Sequence, residues 1–411
     1  VVNELKIAKS YRVNDVKESN RINILRLFRS KTISRVETAS MLGLSKSAVS
    51  TIVDELINEG LLIENGYGIS GETGGKRPIL LELNKDAGMI IALDFNDRSY
   101  EIALTNLASE VVKQVKKKTN IFEEYQKTFD EVLENIRNLI QEVRFKGNKS
   151  PILACGITLK GLVNTSLGTL QYSSGIPGWK DIKVRDYLSN ALNIPVFIEN
   201  DARAITMAQM LSDRRDNAED AITVCVNVNF GIGTGVAIKN EIYRGAHDGA
   251  VTFAHTLIND NGPLCRCGNQ GCWESLASDW ALLKELAKLD SKYEPLDIPD
   301  VIKLFHEGNE QVREVILNHT GYWLGAGISN ILNTFNPDYL ILQGDITQTG
   351  NELLQKIQEV ALKRALPVNR KANISFSKLS GDIRLKGAAA VALHQFFSKE
   401  YHFEMWSRSG R

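Results

Sequence analysis

The stretch HTLINDNGPLCRCGNQGCWE, residues 255–274, carries the most specific information in the chain. Its His255, Cys265, Cys267 and Cys272 supply one imidazole and three thiolates, a complete tetrahedral donor set for zinc. Gly262, Gly268 and Gly271 let the backbone wrap closely around an ion. Four protein ligands leave no open coordination position, so the spacing predicts a structural zinc, not a catalytic one. His247 lies nearby, but its spacing fits less well than that of His255. The chain has five cysteines, an odd number, and three of them fall within residues 265–272. That distribution argues against a disulfide framework and for a metal site in the cytoplasm. Glu274 stands two residues past Cys272, where the same knuckle would fix its position.

Strand runs lie on both sides of this loop. Residues 221–229 form one, leading into Gly231-Ile-Gly-Thr-Gly235, which can cradle a phosphate with backbone amides or serve only as a tight turn. Residues 195–201, PVFIEND, form another that delivers Asn200 and Asp201 at its C-terminal end. Residues 89–95, 100–105, 152–158 and 339–344 are further strands, and 122–144 reads as an amphipathic helix. This is an α/β pattern of two related lobes, 85–200 and 201–395, followed by a tail at 396–411. In such folds ligands bind beyond the carboxyl ends of the strands, where the polar residues named here fall. Carboxylates and amides there suit sugar hydroxyls, because they accept or donate in pairs.

Residues 1–84 read differently. Ile24, Leu25, Leu27 and Phe28 give one helix an apolar face. Ser34-Arg-Val-Glu37 is a capping-box pattern, followed by Val36, Ala39 and Leu42 at helical spacing. Gly43 breaks that helix and Ser45 can cap the next, in which Val49, Ile52, Val53 and Leu56 make one buried stripe. Its opposite face carries Lys46, Ser47, Ser50 and Thr51, side chains able to reach base edges and phosphates. Two helices about a tight turn predict a helix-turn-helix. The runs 61–63 and 79–83 would pair as a wing, with Lys76 and Arg77 presented on the Gly-rich tip SGETGGKRP, residues 70–78.

Over all 411 residues, 49 Lys and Arg balance 49 Asp and Glu, which excludes a uniformly basic nucleic-acid coat. Residues 1–85 hold 13 of the former and 10 of the latter, a weak bias of the right sign for a DNA-binding module. No apolar run approaches the ~20 residues that span a bilayer, and the first 20 residues lack the apolar stretch of a secretory signal.

These motifs together resemble the ROK family (repressors, open reading frames, kinases), and within it the sugar-responsive repressors, the xylose repressors of Gram-positive bacteria included. The matching stretches are LSKSAVSTIVDELINEGLLIE, GGKRPILLELN, FIENDA, YRGAHDGAVTFAH, GPLCRCGNQGCWE and SNILNTFNPDYLIL, which cover nearly the whole chain. The resemblance implies a winged helix-turn-helix followed by a two-lobed sugar-kinase/actin-like (ribonuclease-H-like) core. It implies zinc on His255, Cys265, Cys267 and Cys272, and a sugar between the lobes touching Asn200, Asp201, His255 and Glu274. His255 would have one nitrogen on zinc and the other near a sugar hydroxyl. In family kinases the acid at Asp201 is the general base.

The chain departs from the family pattern in several places. Val251-Thr252 replaces Gly-Glu, Lys160-Gly161 replaces Pro-Gly, and Gly175 in GIPGW replaces Asn. The first phosphate loop, Asp-x-Gly-Gly-Thr in the family, reads Asp94-Phe-Asn-Asp-Arg-Ser99, and the nucleotide-side Gly-Gly reads Gln343-Gly344. Phosphoryl transfer needs charge stabilisation that these residues do not offer. The resemblance therefore implies a non-enzymatic, sugar-responsive repressor, binding a palindromic operator as a homodimer or larger oligomer and released by xylose or another monosaccharide. An ATP-dependent sugar kinase, and a repressor controlled by a protein partner, are the rival expectations.

Overall fold

The computed structural model describes residues 13–69, 77–95, 99–118, 124–173, 178–212, 220–379 and 381–398. Three helices come first: α1 (Val13–Ser30), α2 (Arg35–Leu42) and α3 (Lys46–Asn58). A three-stranded antiparallel sheet closes this unit, with β3 (Ile79–Leu83) between β1 (Ile33–Ser34) and β2 (Leu62–Tyr67). The local chemistry explains the boundaries. Ser34 and Glu37 form the reciprocal capping box at the start of α2, satisfying two otherwise orphan N–H groups. Gly43 ends the helix in the left-handed region at φ 63°. Ser45 accepts from the Ala48 N–H and starts α3. Val49, Ile52, Val53 and Leu56 are buried as their spacing predicts. Val36, by contrast, is 54% exposed. The short helix turns Thr38 and Ala39 inward, and the Thr38 hydroxyl donates to the Ser34 carbonyl.

Two five-stranded sheets follow, built to one plan. In the first, β4 (Met89–Phe95), β5 (Ser99–Asn106) and β6 (Val111–Lys118) form an antiparallel meander. Strands β7 (Ile152–Leu159) and β11 (Val196–Asn200) extend it in parallel on the far side of β4. Helix α4 (Tyr125–Phe145) covers one face; Phe122, expected within it, lies outside the described residues. Between β7 and β11 come a small sheet of β8 (Leu162–Asn164), β9 (Thr169–Tyr172) and β10 (Lys180–Ile182), and helix α5 (Val184–Leu192). Helix α6 (Asp201–Ser212) leaves the end of β11 directly.

The second sheet repeats the order with β12 (Ile222–Val228), β13 (Ile232–Ile238) and β14 (Glu241–Ile242) as the meander, and β15 (Tyr339–Gln343) and β16 (Asn373–Phe376) in parallel. Helices α7 (Glu274–Ala277), α8 (Asp279–Leu289), α9 (Ile298–His306), α10 (Glu310–Glu314), α11 (Gly321–Phe335) and α12 (Asn351–Arg364) belong to this half. Among the described residues no helix is long and apolar enough to cross a membrane.

The last helix, α13 (Ile383–Phe396), departs from the expected lobe boundaries. Chain order placed it in the second lobe, yet it packs on β4, β7 and β11 of the first sheet and along α6. Small residues permit this: a Cβ on Gly156 of β7 would lie 2.0 Å from the Ala388 carbonyl oxygen. Phe396 and Phe397, expected in a loose tail, are buried against the head. Arg26 of α1 donates to the Phe397 carbonyl, and the Arg29 guanidinium lies over the Phe397 ring. One apolar core therefore runs unbroken from Leu25 and Phe28 through Ile90 and Ala92 to Ala388 and Phe397. Residues 399–411 lie outside the described residues.

Candidate functional site

The His/Cys loop folds as its spacing predicts. His255 ends a short 3-10 turn (Phe253–His255), and its Nδ1 faces the Cys265 sulfur at 3.7 Å. The Cys267 and Cys272 sulfurs are also 3.7 Å apart, and all four donor atoms lie within 4.8 Å of one another. A tetrahedron with metal–sulfur bonds of ~2.3 Å has edges of about 3.8 Å, so the donors are spaced for an ion. Gly271 sits at φ 69°, and a Cβ there would lie 1.8 Å from the Asn259 carbonyl oxygen. Burial and the neighbouring sulfurs push the Cys272 thiol up to about 12. Trp273, wholly buried, anchors the loop: its Nε1 donates to the Trp323 carbonyl, and its ring occupies the space a side chain at Gly327 would fill.

Glu274, at the start of α7, is 7% exposed and held at both oxygens. The Ile232 N–H donates to Oε2 and Arg266 Nη2 donates to Oε1, at 3.1 and 3.2 Å. Arg266 stands between Cys265 and Cys267, its guanidinium over the Phe230 ring at 4.7 Å. Asn200 caps α6: its Oδ1 accepts from the Ala202 and Arg203 N–H groups, and its Nδ2 donates to the Gly161 carbonyl. Asp201 begins the helix and accepts from Asn200 Nδ2. A Cβ on Gly233 would lie 2.7 Å from the Ala202 Cβ, and one on Gly231 would lie 2.4 Å from Glu274 Oε2. Gly233 of β13 thus lies against the start of the Asp201 helix, while Gly231, just before the strand, lies against Glu274.

That placement answers the turn expected at 231–235. Only its beginning is a turn, where the Asn229 N–H donates to the Gly231 carbonyl. Gly233 and Gly235 lie within β13, and their missing side chains let α6 approach: a Cβ on Gly235 would be 2.1 Å from Thr206 Oγ1. The segment 94–99, which the resemblance aligns with the family's phosphate loop, is described only at Asp94, Phe95 and Ser99. Asp94 is buried, accepts from the Thr158 hydroxyl and faces Arg384 at 3.8 Å. Burial pushes its carboxyl up to about 6 against the pull of Arg384.

Among the departures, Val251 has φ 67°, a left-handed conformation costly for a β-branched residue, with its carbonyl held by the Thr234 hydroxyl. The exposed Thr252 hydroxyl donates to the Gly249 carbonyl. Lys160 is half-buried beside Gly161, while Gly175 lies outside the described residues. Lys46, Ser47 and Thr51 are exposed on α3, Ser50 is half-buried, Arg77 is exposed, and Lys76 lies outside the described residues.

Asp279 carries a pH-dependent expectation. It is 6% exposed, and its Oδ1 has no hydrogen-bond partner among the described residues. Burial, with repulsion from Asp345 added, raises its carboxyl from 3.8 to about 7. The folded form binds a proton that the unfolded chain has released between those values, so stability falls as pH rises through that window. Asp279→Asn is expected to stabilise the protein at pH 8 by on the order of 2 kcal/mol and to change little at pH 4. Thermal unfolding at the two pH values measures this, and equal shifts at both would refute it.

Residues 90–395 match the ROK family. The chain is 31% identical to the xylose repressor of Caldicellulosiruptor bescii over 398 residues, covering 93% of this chain and 97% of the relative. A ROK family transcriptional regulator, homologous to the E. coli MLC protein, superposes with a TM-score of 0.78 at 24% identity, covering 94% of this chain and 98% of that one. The ROK hexokinase of Thermus thermophilus superposes with a TM-score of 0.61 at 22% identity, covering 75% of this chain and 100% of its own. With the doubled sheet, the His/Cys3 loop and this match spanning most of its length, the chain belongs to the ROK family.

Proposed function

We propose that this ROK protein is a sugar-responsive transcriptional repressor. The observation that carries the reading is the head joined to the core. The family match begins at residue 90, and ahead of it stand three helices, the second and third capped by Ser34 and Ser45, and a three-stranded sheet, with a polar, exposed face on α3. That unit has the form of a winged helix-turn-helix, with α3 as recognition helix. Lys46, Ser47, Ser50 and Thr51 contact phosphates and base edges, and Lys76 and Arg77 form the arm. Two copies bind a palindromic operator with half-sites about 34–36 Å apart or a multiple of that. Similarity to a xylose repressor along 97% of that protein's length supports both operator and effector.

Zinc on His255, Cys265, Cys267 and Cys272 supplies a structural cross-link. With Nδ1 on the cluster side, the second His255 nitrogen serves a sugar hydroxyl alongside Asn200, Asp201 and Glu274. Asn200 spends its amide on the α6 cap and Gly161, so sugar competes with that contact. Any shift of α6 passes to α13 along their packed length, and from Phe397 to α1. The ligand acts through unequal affinity for the two arrangements. Kinase chemistry is disfavoured by the sequence after Asp94, Phe-Asn-Asp-Arg-Ser99, which lacks the family's two glycines and puts an acidic side chain where a triphosphate would lie.

The test is operator binding with the DNA flanking the protein's own gene. Sugar is expected to weaken it, Asp201→Asn to abolish that response while preserving DNA binding, and no sugar-dependent ADP release to occur. ADP release lost in Asp201→Asn would instead establish a kinase.

A further inference from the structure

Directly behind the Asn200–Asp201 pair lies a closed ring of four charges. Glu199, 1% exposed, accepts from Arg203 Nε at 2.6 Å through Oε1 and from Arg244 Nη2 at 2.8 Å through Oε2. Asp248 completes the ring, 3.9 Å from Arg203 and 3.8 Å from Arg244. The signs alternate and cancel. Each member also holds backbone nearby. Glu199 accepts from the Asn200 N–H, Arg203 donates to the Val163 and Asp248 carbonyls, and Asp248 accepts from the Thr165 N–H and hydroxyl.

Burying such a ring gives little net stability, since desolvation offsets most of the Coulomb attraction. Its effect is registry. It joins the end of β11, the first turn of α6, the β8 strand and the 243–252 segment that leads into His255. We infer that Arg244 is a positioning residue for the effector: through Glu199 it holds Asn200 and Asp201 at a fixed offset from the loop that delivers His255. The proposal rests on the effector reading above and names a part of that site's machinery that touches no ligand. Hydrogen-bonding groups set about 0.5 Å out of place lose much of their affinity, so the offset decides how well one sugar can reach both the Asn200–Asp201 pair and His255.

Arg244 is the most exposed member of the ring, which makes it removable. In Arg244→Met the D-xylose concentration that half-releases the operator is expected to rise by about tenfold or more. Sugar-free operator affinity and bound zinc should be unchanged. Arg244→Lys keeps the charge but not the two-pronged grip, and should recover part of the response. The double variant Arg244→Met/Asp248→Asn keeps the site neutral, and Asn tolerates the φ of 56° at position 248, so a folded protein is available if the single variant fails. An unchanged sugar dependence overturns the proposal. So does a loss that operator affinity and zinc content share in equal measure, or that Arg244→Lys does not relieve. Wild-type protein released by no sugar among D-xylose, D-glucose and N-acetylglucosamine overturns the effector reading itself, and the proposal with it.

Discussion

Reduced protein is expected to carry one equivalent of zinc, and Cys272→Ala is expected to lose the metal together with most of the fold of the second half. The magnitude follows from the donor set. Structural zinc sites contribute roughly 10–16 kcal/mol of apparent binding free energy, more than the net stability of most domains. The loop holding the donors forms no strand or helix between His255 and Cys272, only turns and backbone hydrogen bonds such as those from the Cys265 N–H to the Asn269 carbonyl and from the Gly271 N–H to the Pro263 carbonyl. It contributes two isolated β-bridges, Leu257 with Cys272 and Leu264 with Gln270, and leaves Leu257 and Leu264 exposed. The change should spread through Trp273, which neighbours Cys272 and sits wholly buried in the second core. Metal analysis gives the stoichiometry, and chelation should bring a red shift of tryptophan emission and a lower melting temperature. A metal-free protein that melts at the same temperature as the native one would refute the structural role.

The second large effect concerns communication. Phe397→Ala is expected to leave sugar affinity and sugar-free operator affinity within about threefold of wild type, while the weakening of operator binding by sugar disappears. Allosteric couplings are typically 1–3 kcal/mol, a 5- to 150-fold change in affinity, so the loss is readily measured. Phe397 is 2% exposed where α13 meets α1, with Arg29 over its ring and Arg26 on its carbonyl. The truncation also lowers overall stability, because a large buried ring is removed. Phe397→Leu, which keeps apolar volume, should restore part of the response and separates the two effects. Undiminished release by sugar in Phe397→Ala would exclude this route.

The head and the metal loop were legible in the sequence because their signals are local. Ser34 with Glu37, Gly43 and Ser45 mark helix ends within a few residues, and the four metal donors lie in a 20-residue stretch whose spacing has one chemical reading. The strand ending at Asn200 was legible for the same reason, although Asp201, expected in the strand, opens α6 instead. The Glu199–Arg203–Arg244–Asp248 ring was not, because its two arms are about 45 residues apart and charged residues carry no periodicity that pairs them. The placement of α13 was likewise hidden. Its alanine-rich pattern fits any close-packed surface, and only the glycine on β7 identifies which one. At 231–235 the sequence showed the glycines, while their use for helix approach depends on α6, some 30 residues earlier.

The fit of Trp273 against Gly327 constrains how this protein can diverge. An alanine methyl at position 327 would come within 2.1 Å of the indole, so the two sites must mutate in concert. Grafting a relative's metal loop onto this scaffold should therefore succeed only when the donor's helix around position 327 is transplanted with it.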